Sequence, residues 1–214
     1  MTIPLVIVGA GGFGRETADV VEAINQQSSV PSFELLGIVD DAPSEKNLRL
    51  LQSRGVRYLG TQESLLSRAP EGQFIIGIGA PHIRENVARR LAAHRLEAAT
   101  LIHPSATVGS AARIGTGSVV CAGVAISTNV ALGSHVHLNA NATIGHDSTL
   151  ADYVSINPGA IISGDVSVES RTLIGAGAVV LQGLTVHESS IVGAAACVVR
   201  DVEQGCTVKG IPAR

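Results

Sequence analysis

An aliphatic residue recurs at every sixth position through the second half of the chain. From residue 102 to residue 198 the series has no gap: Ile102, Val108, Ile114, Val120, Ile126, Leu132, Leu138, Ile144, Leu150, Ile156, Ile162, Val168, Ile174, Val180, Val186, Val192 and Val198. A period of six fits neither an α-helix nor a coiled coil, whereas hexapeptide repeats are the sequence signature of a parallel β-helix. The series therefore predicts a β-solenoid with its aliphatic positions facing inward.

The residues around each aliphatic position predict the shape of a hexad. Two residues earlier stands a small or medium side chain, such as Ala142 or Val154, so inward and outward positions alternate as in a β-strand. When the aliphatic residue is counted as the first of its hexad, the second to fourth residues, such as "GTG", "GHD" and "NPG", have the chemistry of turns and indicate a corner. If three hexads close one coil, residues 18 apart stack, and the series makes five to six coils.

Aromatic residues divide the chain into two differently built parts. They are 2% of the 214 residues, there is no Trp, and four of the five lie before residue 75. The second part must therefore build its core from layers of aliphatic side chains, whereas the first can form an ordinary core. We expect one domain over residues 1–100 and the β-helix over residues 101–214.

The first hundred residues read as half of a doubly wound α/β domain, a Rossmann-like half domain. "PLVIVGAGGFGRETADVVEAINQ" predicts a strand, a glycine turn and a helix, "FELLGIVDD" and "FIIGIG" predict two more strands, and "HIRENVARRLAAHR" predicts another helix. Gly9, Gly11 and Gly14 fit G-x-G-x-x-G, which aims a helix N-terminus at an anion. Without a second half, a mononucleotide-type site is favoured over NAD. Glycines that serve only the strand-to-helix turn remain an alternative.

Charge, cysteine usage and hydropathy exclude several classes of protein. The net charge is -3 with no basic cluster, so nucleic acid is not an expected partner. Cys121, Cys197 and Cys206 form no C-x-x-C pair and are odd in number, which indicates a reducing compartment. No apolar run reaches about 18 residues and the N-terminus lacks a basic signal region, so we expect a cytoplasmic protein without a membrane partner.

Three features together resemble a known family. The glycine-rich βαβ unit, the unbroken hexads with "GHDS" near their middle, and the terminal "KGIPAR" are similar to the acetyl-CoA-dependent nucleotide-sugar acetyltransferases of bacterial glycan synthesis. The resemblance covers essentially the whole chain and implies a left-handed β-helix, acetyl-CoA as co-substrate, no metal, and a homotrimer with active sites between neighbouring β-helices. It also implies N-acetylation of the 4-amino group of a UDP- or GDP-linked amino-deoxy sugar for surface glycan or glycoprotein synthesis.

The resemblance implies a catalytic role for the polar pair in "GHDS". His146 matches the family's general base, and Asp147 is the carboxylate that would orient its imidazole. An imidazole titrating near pH 7 is suited to taking a proton from an attacking amine. The alternative for His146 and Asp147 is a polar corner on a solvated ridge. The spacing of His135, His137 and His146 argues against a zinc site.

Binding residues are also implied by the resemblance. Coenzyme contacts are expected at Gly164, which stacks 18 residues after His146, and at Ala176 and Ala194. The family carries a second coenzyme-binding histidine where this chain has Ser155. Either Ser155 itself or His137, 18 residues earlier on the same outward face, is expected to take its role. The expected contacts to the sugar nucleotide are Gly11, Gly12, Phe13, Asp40, Asp41 and Gly79.

Two other functions remain open at this level. The same base and coenzyme would serve a sugar O-acetyltransferase of the sialic acid type. A protein of another class, a non-catalytic trimeric β-helix scaffold or sugar-nucleotide sensor, would keep the repeat without the chemistry. The sequence does not identify the nucleotide or the sugar, because loops without a readable code make those contacts.

Overall fold

The N-terminal region is a four-stranded parallel sheet flanked by helices. The structure, a computed structural model, describes residues 2–67, 72–94 and 96–214. The elements of this region are β1 (Ile3–Val8), α1 (Gly12–Asn25), β2 (Phe33–Val39), α2 (Glu45–Ser53), α3 (Gln62–Ser67), β3 (Gln73–Ile76), α4 (Pro81–Ala93) and β4 (Glu97–Ala98). The strand order is β2-β1-β3-β4, so the order reverses between β1 and β3, as in half of a doubly wound fold.

The second predicted helix of this region is present as α4. The sequence predicts it over "HIRENVARRLAAHR", and the last residue of that stretch, Arg95, lies outside the described residues. In the part of the chain that the structure describes, no helix has the length and apolar character to cross a membrane.

The glycine turn after β1 is required by close packing. Gly9 has a φ of 114°, which disfavours any side chain. A Cβ on Gly14 would lie 1.8 Å from the carbonyl oxygen of Gly9, and one on Gly77 would lie 2.5 Å from the Cα of Gly14. These glycines therefore let α1 pack directly against β1 and the segment after β3, whatever ligand the turn binds.

The C-terminal region consists of two-residue strands separated by corners. They are β5 (Leu101–Ile102), β6 (Thr107–Val108), β7 (Arg113–Ile114), β8 (Val119–Val120), β9 (Ala125–Ile126), β10 (Ala131–Leu132), β11 (His137–Leu138), β12 (Thr143–Ile144), β13 (Thr149–Leu150), β14 (Ser155–Ile156), β15 (Ile161–Ile162), β16 (Ser167–Val168), β17 (Leu173–Ile174), β18 (Val179–Val180), β19 (Thr185–Val186), β20 (Ile191–Val192), β21 (Cys197–Val198) and β22 (Thr207–Val208). Every aliphatic residue of the six-residue series is the second residue of a strand, as predicted.

These strands form a parallel β-helix of about six turns. They pair into a seven-stranded sheet that includes β11 and β14, a six-stranded sheet that includes β12 and β15, and a five-stranded sheet that includes β10 and β13. Paired residues are 18 apart, as in His137 beside Ser155 and Thr143 beside Ile161, except between β20 and β22, where they are 16 apart. The predicted fold class and the predicted stacking of residues 18 apart are both confirmed.

Corners are formed by residues in the left-handed backbone region. In each hexad between residues 109 and 197 the third residue after the aliphatic position has a positive φ, including Asn129 (61°), Asn141 (60°) and Asp147 (61°). Glycine, asparagine and aspartate tolerate this region better than other residues. Glycine, asparagine or aspartate stands at most of these positions and eases the bend. The residues that adopt the same backbone without that advantage are Ala111, His135, Tyr153, Arg171, Ser189 and Ala195.

The α/β region packs against the outer face of the seven-stranded sheet. Leu101, Val119 and Cys121, from the start of the β-helix, share an apolar core with Leu5 and Ile7 of β1. The chain leaves the α/β sheet after Ala98 and enters the β-helix at Leu101. On this ground we propose to keep the domain boundary at residues 100 and 101.

Candidate active site

His146 and Asp147 form a hydrogen-bonded pair on an exposed corner. They lie between β12 and β13, and Nδ1 of His146 is 2.7 Å from Oδ2 of Asp147. Their side chains are 64% and 49% exposed. Hydrogen bonds from Asn129 and then from His146 lower the pKa of Asp147. An ionised carboxylate only accepts, so Nδ1 must carry the proton, which leaves the lone pair of a neutral imidazole on Nε2.

Gly164 leaves space for this imidazole. A Cβ on Gly164 would lie 2.6 Å from both Cε1 and Nε2 of His146, so the ring stands against the bare backbone one turn above it. Within the described residues the N–H of Gly164 has no backbone hydrogen-bond partner. The proton-accepting nitrogen of His146 and the bare backbone of Gly164 therefore lie side by side at the corner.

The predicted sugar-nucleotide residues surround the C-terminal ends of β1, β2 and β3. Gly11 is the N-cap of α1 and has no side chain that could cap the helix. Gly12 begins the helix and is exposed. Oδ2 of Asp40 accepts the N–H of Ala10 at 2.7 Å, and Oδ1 accepts the N–H of Ala42 at 2.9 Å. Asp40 therefore holds the glycine turn in place in addition to any contact with a ligand.

Asp41 and Gly79 also have clear structural contacts. The carboxylate of Asp41 accepts the backbone N–H of Gln62 at 2.7 Å and its Nε2 at 2.9 Å, which anchors the start of α3. The carbonyl oxygen of Gly79 accepts the hydroxyl of Ser155 at 2.9 Å. Binding of a sugar nucleotide by Asp40, Asp41 and Gly79 stays a prediction.

The expectation that His137 and Ser155 lie on an open outward face is corrected by the structure. The two residues stack as predicted, but His137 is 0% and Ser155 is 1% exposed because the α/β region covers them. The ring of Phe13 packs on that of His137 with centroids 4.5 Å apart. A coenzyme reaches neither side chain in this arrangement. Of the predicted contacts, Phe13 also belongs to this interface.

Arg84 is the central residue of the interface, and the sequence analysis missed it. Its side chain is fully buried between the two regions. It donates hydrogen bonds to the carbonyl oxygens of Ile78 (2.8 Å) and Gly79 (3.1 Å) on the α/β side. On the β-helix side its acceptors are the carbonyl oxygens of His135 (2.9 Å), Tyr153 (2.7 Å) and Val154 (3.2 Å) and the hydroxyl of Ser155 (2.9 Å).

The two buried histidines beside Arg84 are held in the neutral form. Burial, and then the charge of Arg84, lowers the pKa of His135 to about 4, against a smaller opposing effect of Asp152. The same two causes, in the same order, lower the pKa of His137 well below its usual value. Among the described residues, neither nitrogen of His137 has a hydrogen-bond partner. The backbone of Ile76 is close enough to oppose the lowering of the pKa of His137, but it does not form a hydrogen bond with the ring.

Acid is expected to weaken this interface. The pKa of His135 is about 6.5 in the unfolded chain and lower in the folded one, so the unfolded chain binds the proton first. This contribution to stability is complete above about pH 6.5 and is lost progressively as the pH falls towards 4. Asparagine tolerates the left-handed backbone at position 135, so His135→Asn is the test variant. Between pH 7 and pH 5 this variant should lose about 1–2 kcal/mol less free energy of unfolding than the unchanged protein. Denaturant unfolding at both pH values checks this, and an unchanged loss contradicts it.

Two of the predicted coenzyme residues, Ala176 and Ala194, occupy a different corner of the β-helix from the predicted catalytic residues. His146 and Gly164 lie where the six-stranded sheet passes to the five-stranded sheet. Ala176 and Ala194, both exposed and stacked 18 residues apart, lie where the seven-stranded sheet passes to the six-stranded sheet. One chain therefore brings His146, Asp147 and Gly164 together but does not bring Ala176 and Ala194 to them.

The corner of His146 also lies opposite the face that carries the α/β region. In a three-sided helix, the corner between the six- and five-stranded sheets is across the core from the seven-stranded sheet. The glycine turn and Asp40 therefore lie on the far side of the same chain from His146. The same geometry separates His146 from His135 and His137, and no cluster of three metal-ligating side chains exists within residues 2–67, 72–94 and 96–214.

The fold defines a class of proteins in which a Rossmann-like half domain precedes a parallel β-helix, and here the β-helix carries an exposed His–Asp pair at one corner. Residues 4–91 match the family described as the PglD N-terminal domain. The acetyltransferase domain of PglB from Neisseria gonorrhoeae FA1090 is 31% identical, covers 100% of this chain and 99% of its own, and superposes with a TM-score of 0.85. PerB from Caulobacter crescentus, solved with CoA and GDP-perosamine, is 30% identical over 99% of this chain and 96% of its own, with a TM-score of 0.86.

A curated relative leads to the same group of proteins. GDP-perosamine N-acetyltransferase of Escherichia coli O157:H7 is 33% identical over 147 residues, which span 69% of this chain and 64% of that protein. The alignment thus spans less than two thirds of that relative's length. The chain belongs to the nucleotide-sugar N-acetyltransferase family that includes the PglB and PerB acetyltransferases.

Proposed function

We propose that the protein transfers the acetyl group of acetyl-CoA to the 4-amino group of a UDP- or GDP-linked amino-deoxy sugar. The observation that carries this proposal is the 2.7 Å contact between Nδ1 of His146 and Asp147, which leaves Nε2 as a base. PerB, the relative solved with CoA and GDP-perosamine, supports the two substrates. The fold and family membership support the reaction class.

The proposed reaction is a direct transfer within a ternary complex. The sugar amine attacks the thioester carbonyl to form the C–N bond, Nε2 of His146 takes the amine proton, and a tetrahedral intermediate results. This intermediate collapses with cleavage of the C–S bond, and the proton on His146 passes to the leaving thiolate. In this proposal the N–H of Gly164, next to His146, would stabilise the oxyanion of the tetrahedral intermediate. No acyl-enzyme is required. Burial raises the pKa of the Cys121 thiol to about 12, which makes it a poor nucleophile.

Gly164→Ala tests the space that the imidazole needs. The added methyl group would overlap Cε1 and Nε2 of His146, and the exposed ring would swing away from its position. We expect kcat to fall about 10- to 100-fold, because small displacements of reacting groups have effects of this size. The melting temperature should stay close to that of the unchanged protein, since only an exposed side chain moves. Unchanged turnover would show that the ring does not need its place over Gly164.

We propose that the protein is a homotrimer in which neighbouring chains complete each active site. The location of His146 opposite the α/β region, and of Ala176 and Ala194 on another corner, supports a site made from two chains. Exposed apolar residues along the β-helix, including Ile161, Leu181 and Ile191, offer surface for lateral packing. Light scattering after size exclusion should give three chains, and a monomer at micromolar concentration would contradict the shared site.

Mixed trimers give a sharper test of the shared site. His146→Ala removes the base from one corner, and Ala176→Arg would block the predicted coenzyme corner. If each site uses His146 of one chain and Ala176 of its neighbour, co-refolding the two inactive variants restores a fraction of the activity. Mixtures that stay inactive, although light scattering shows mixed trimers, would place both residues in sites within one chain.

The proposed location is cytoplasmic and the proposed role is in glycan synthesis. Acetyl-CoA and nucleotide sugars are both made in the cytoplasm, which supports this location. The product would be an acetamido-sugar nucleotide, a donor for a glycosyltransferase.

An acetyl-transfer screen tests the function. The protein is incubated with acetyl-CoA and a set of UDP- and GDP-linked sugars, including GDP-perosamine, and released thiol is measured. Each amino sugar has a matched control that carries a hydroxyl at C4. We expect thiol release with at least one amine and none with its hydroxyl control. Release only with hydroxyl sugars would favour O-acetylation, and absence of coenzyme binding would favour a scaffold or sensor.

A further inference from the structure

Asn129 holds the other oxygen of Asp147. Asn129 occupies the same corner position 18 residues before Asp147, and its Nδ2 donates to Oδ1 of Asp147 at 2.9 Å. The remaining oxygen, Oδ2, accepts from Nδ1 of His146 at 2.7 Å. The carboxylate is therefore bound on both sides, by an amide one turn below it and by the imidazole beside it.

We propose that Asn129 is a positioning residue for the general base, the third member of an Asn129–Asp147–His146 chain of hydrogen bonds. The catalytic consequence of this inference rests on the proposed function. Asp147 is half exposed, so a single contact to His146 would leave its carboxylate free to rotate. The second hydrogen bond fixes the plane of the carboxylate, and the carboxylate in turn fixes the imidazole with its proton on Nδ1.

The local structure favours asparagine at position 129. Its φ of 61° lies in the left-handed region, which asparagine tolerates. Only the NH₂ end of the amide can face a carboxylate, because an oxygen there would be repelled. Asp165 occupies the same corner position one turn above Asp147, so the corner series already carries two aspartates in succession. An aspartate at position 129 would add a third one.

The test compares two glycine variants on the same corner. Asn129→Gly removes the amide and keeps the left-handed backbone without strain. Ala111→Gly, one further turn below with a φ of 59°, makes the same backbone change without removing a hydrogen bond. We expect Asn129→Gly to lower kcat about 2- to 10-fold, the net effect of one hydrogen bond, with both KM values unchanged. Ala111→Gly should keep the original kcat.

A double-mutant cycle separates positioning from a general structural role. If Asn129 acts only through Asp147, then Asn129→Gly has no further effect on kcat in the Asp147→Ala background. Effects that multiply in the double variant would overturn the inference. A fall in kcat for Asn129→Gly that Ala111→Gly reproduces would overturn it as well.

A second readout does not require enzymatic activity. ¹⁵N NMR of labelled protein, with the His146 signals assigned by their loss in His146→Ala, reports which ring nitrogen carries the proton. The unchanged protein should show the proton on Nδ1, and Asn129→Gly should show a mixture of both tautomers. An unchanged tautomer in Asn129→Gly overturns the inference. If instead the tautomer shifts but no sugar nucleotide is acetylated, the proposed function fails and the positioning role stands.

Discussion

Replacing His146 by alanine is expected to lower kcat by about two to four orders of magnitude, the usual contribution of a general base. The KM for acetyl-CoA should change little, because the imidazole acts on the proton of the amine in the transition state. Steady-state kinetics with the preferred amino sugar measure both quantities. Asp147 only orients and stabilises the ring, so its loss should have a smaller effect than the loss of His146.

The chain offers a matched control for this experiment. His187 also contacts a carboxylate, with Nδ1 3.2 Å from Oε1 of Glu169, and is partly exposed on the β-helix. His187→Ala therefore removes a histidine of a similar surface pair. We expect it to leave kcat unchanged. A His146→Ala variant that turns over as fast as His187→Ala would remove His146 from the mechanism.

Replacing Arg84 by methionine is expected to lower the free energy of unfolding by about 3–5 kcal/mol. The guanidinium is fully buried, and burial lowers its pKa to about 9, so it is still cationic at neutral pH. It donates to carbonyl oxygens of both regions, including Gly79 and Tyr153. Methionine has a similar length but no donor, so these acceptors would be left buried without a partner.

Denaturant unfolding of Arg84→Met measures this effect, and Arg89→Met is its control. Arg89 is on the same helix, 72% exposed, and pairs with Glu85 at 2.7 Å. Glu85 is largely buried but keeps Arg171 as a second partner at 3.4 Å, so the loss of the exposed Arg89 should cost only about 1 kcal/mol. If the two variants were equally stable, the hydrogen bonds of Arg84 would not hold the regions together. A higher KM for the sugar nucleotide in Arg84→Met would indicate, in addition, that the hydrogen bond from Arg84 holds the loop of Gly79 in its binding position.

The β-helix could be predicted in detail because its information is local and periodic. Each hexad carries its own inward residues and its own corner, so the fold follows from counting along the chain. The contact between His146 and Asp147 was predictable for the same reason, since both residues belong to one corner. Gly164 followed from the stacking of residues 18 apart. The hydrogen bond between Asn129 and Asp147 could have been predicted in the same way, because these residues are also 18 apart.

The packing of the α/β region on the β-helix could not be predicted in this way. Outward residues have no period, so nothing in the series shows which of the three faces is covered, and the sequence predicts coenzyme contacts for His137 and Ser155, which the α/β region covers. Arg84 had a visible signal, because it lies on the same face of α4 as the buried Ala88 and Leu91. Its acceptors on the β-helix, however, are mainly carbonyl groups more than 50 residues away, which no side-chain pattern identifies.

The complete site could not be assembled from one sequence for a further physical reason. His146 and the glycine turn lie on opposite sides of a chain, so in the proposed trimer their relation would depend on how a second chain packs. The proposed nucleotide contacts lie in loops in which Asp40 and Asp41 already serve the fold, and a structural role and a binding role leave the same residue type in the sequence.

The measurement that tests the central claim most directly is the NMR spectrum of the purified product. The protein is incubated with acetyl-CoA and the amino-sugar nucleotide that releases most thiol, and the bond formed by the acetyl group is assigned. We predict an amide on the nitrogen at C4, formed by the unchanged protein and not by His146→Ala. An ester on a ring hydroxyl, or the same amide formed equally fast by His146→Ala, would contradict N-acetylation with His146 as the base.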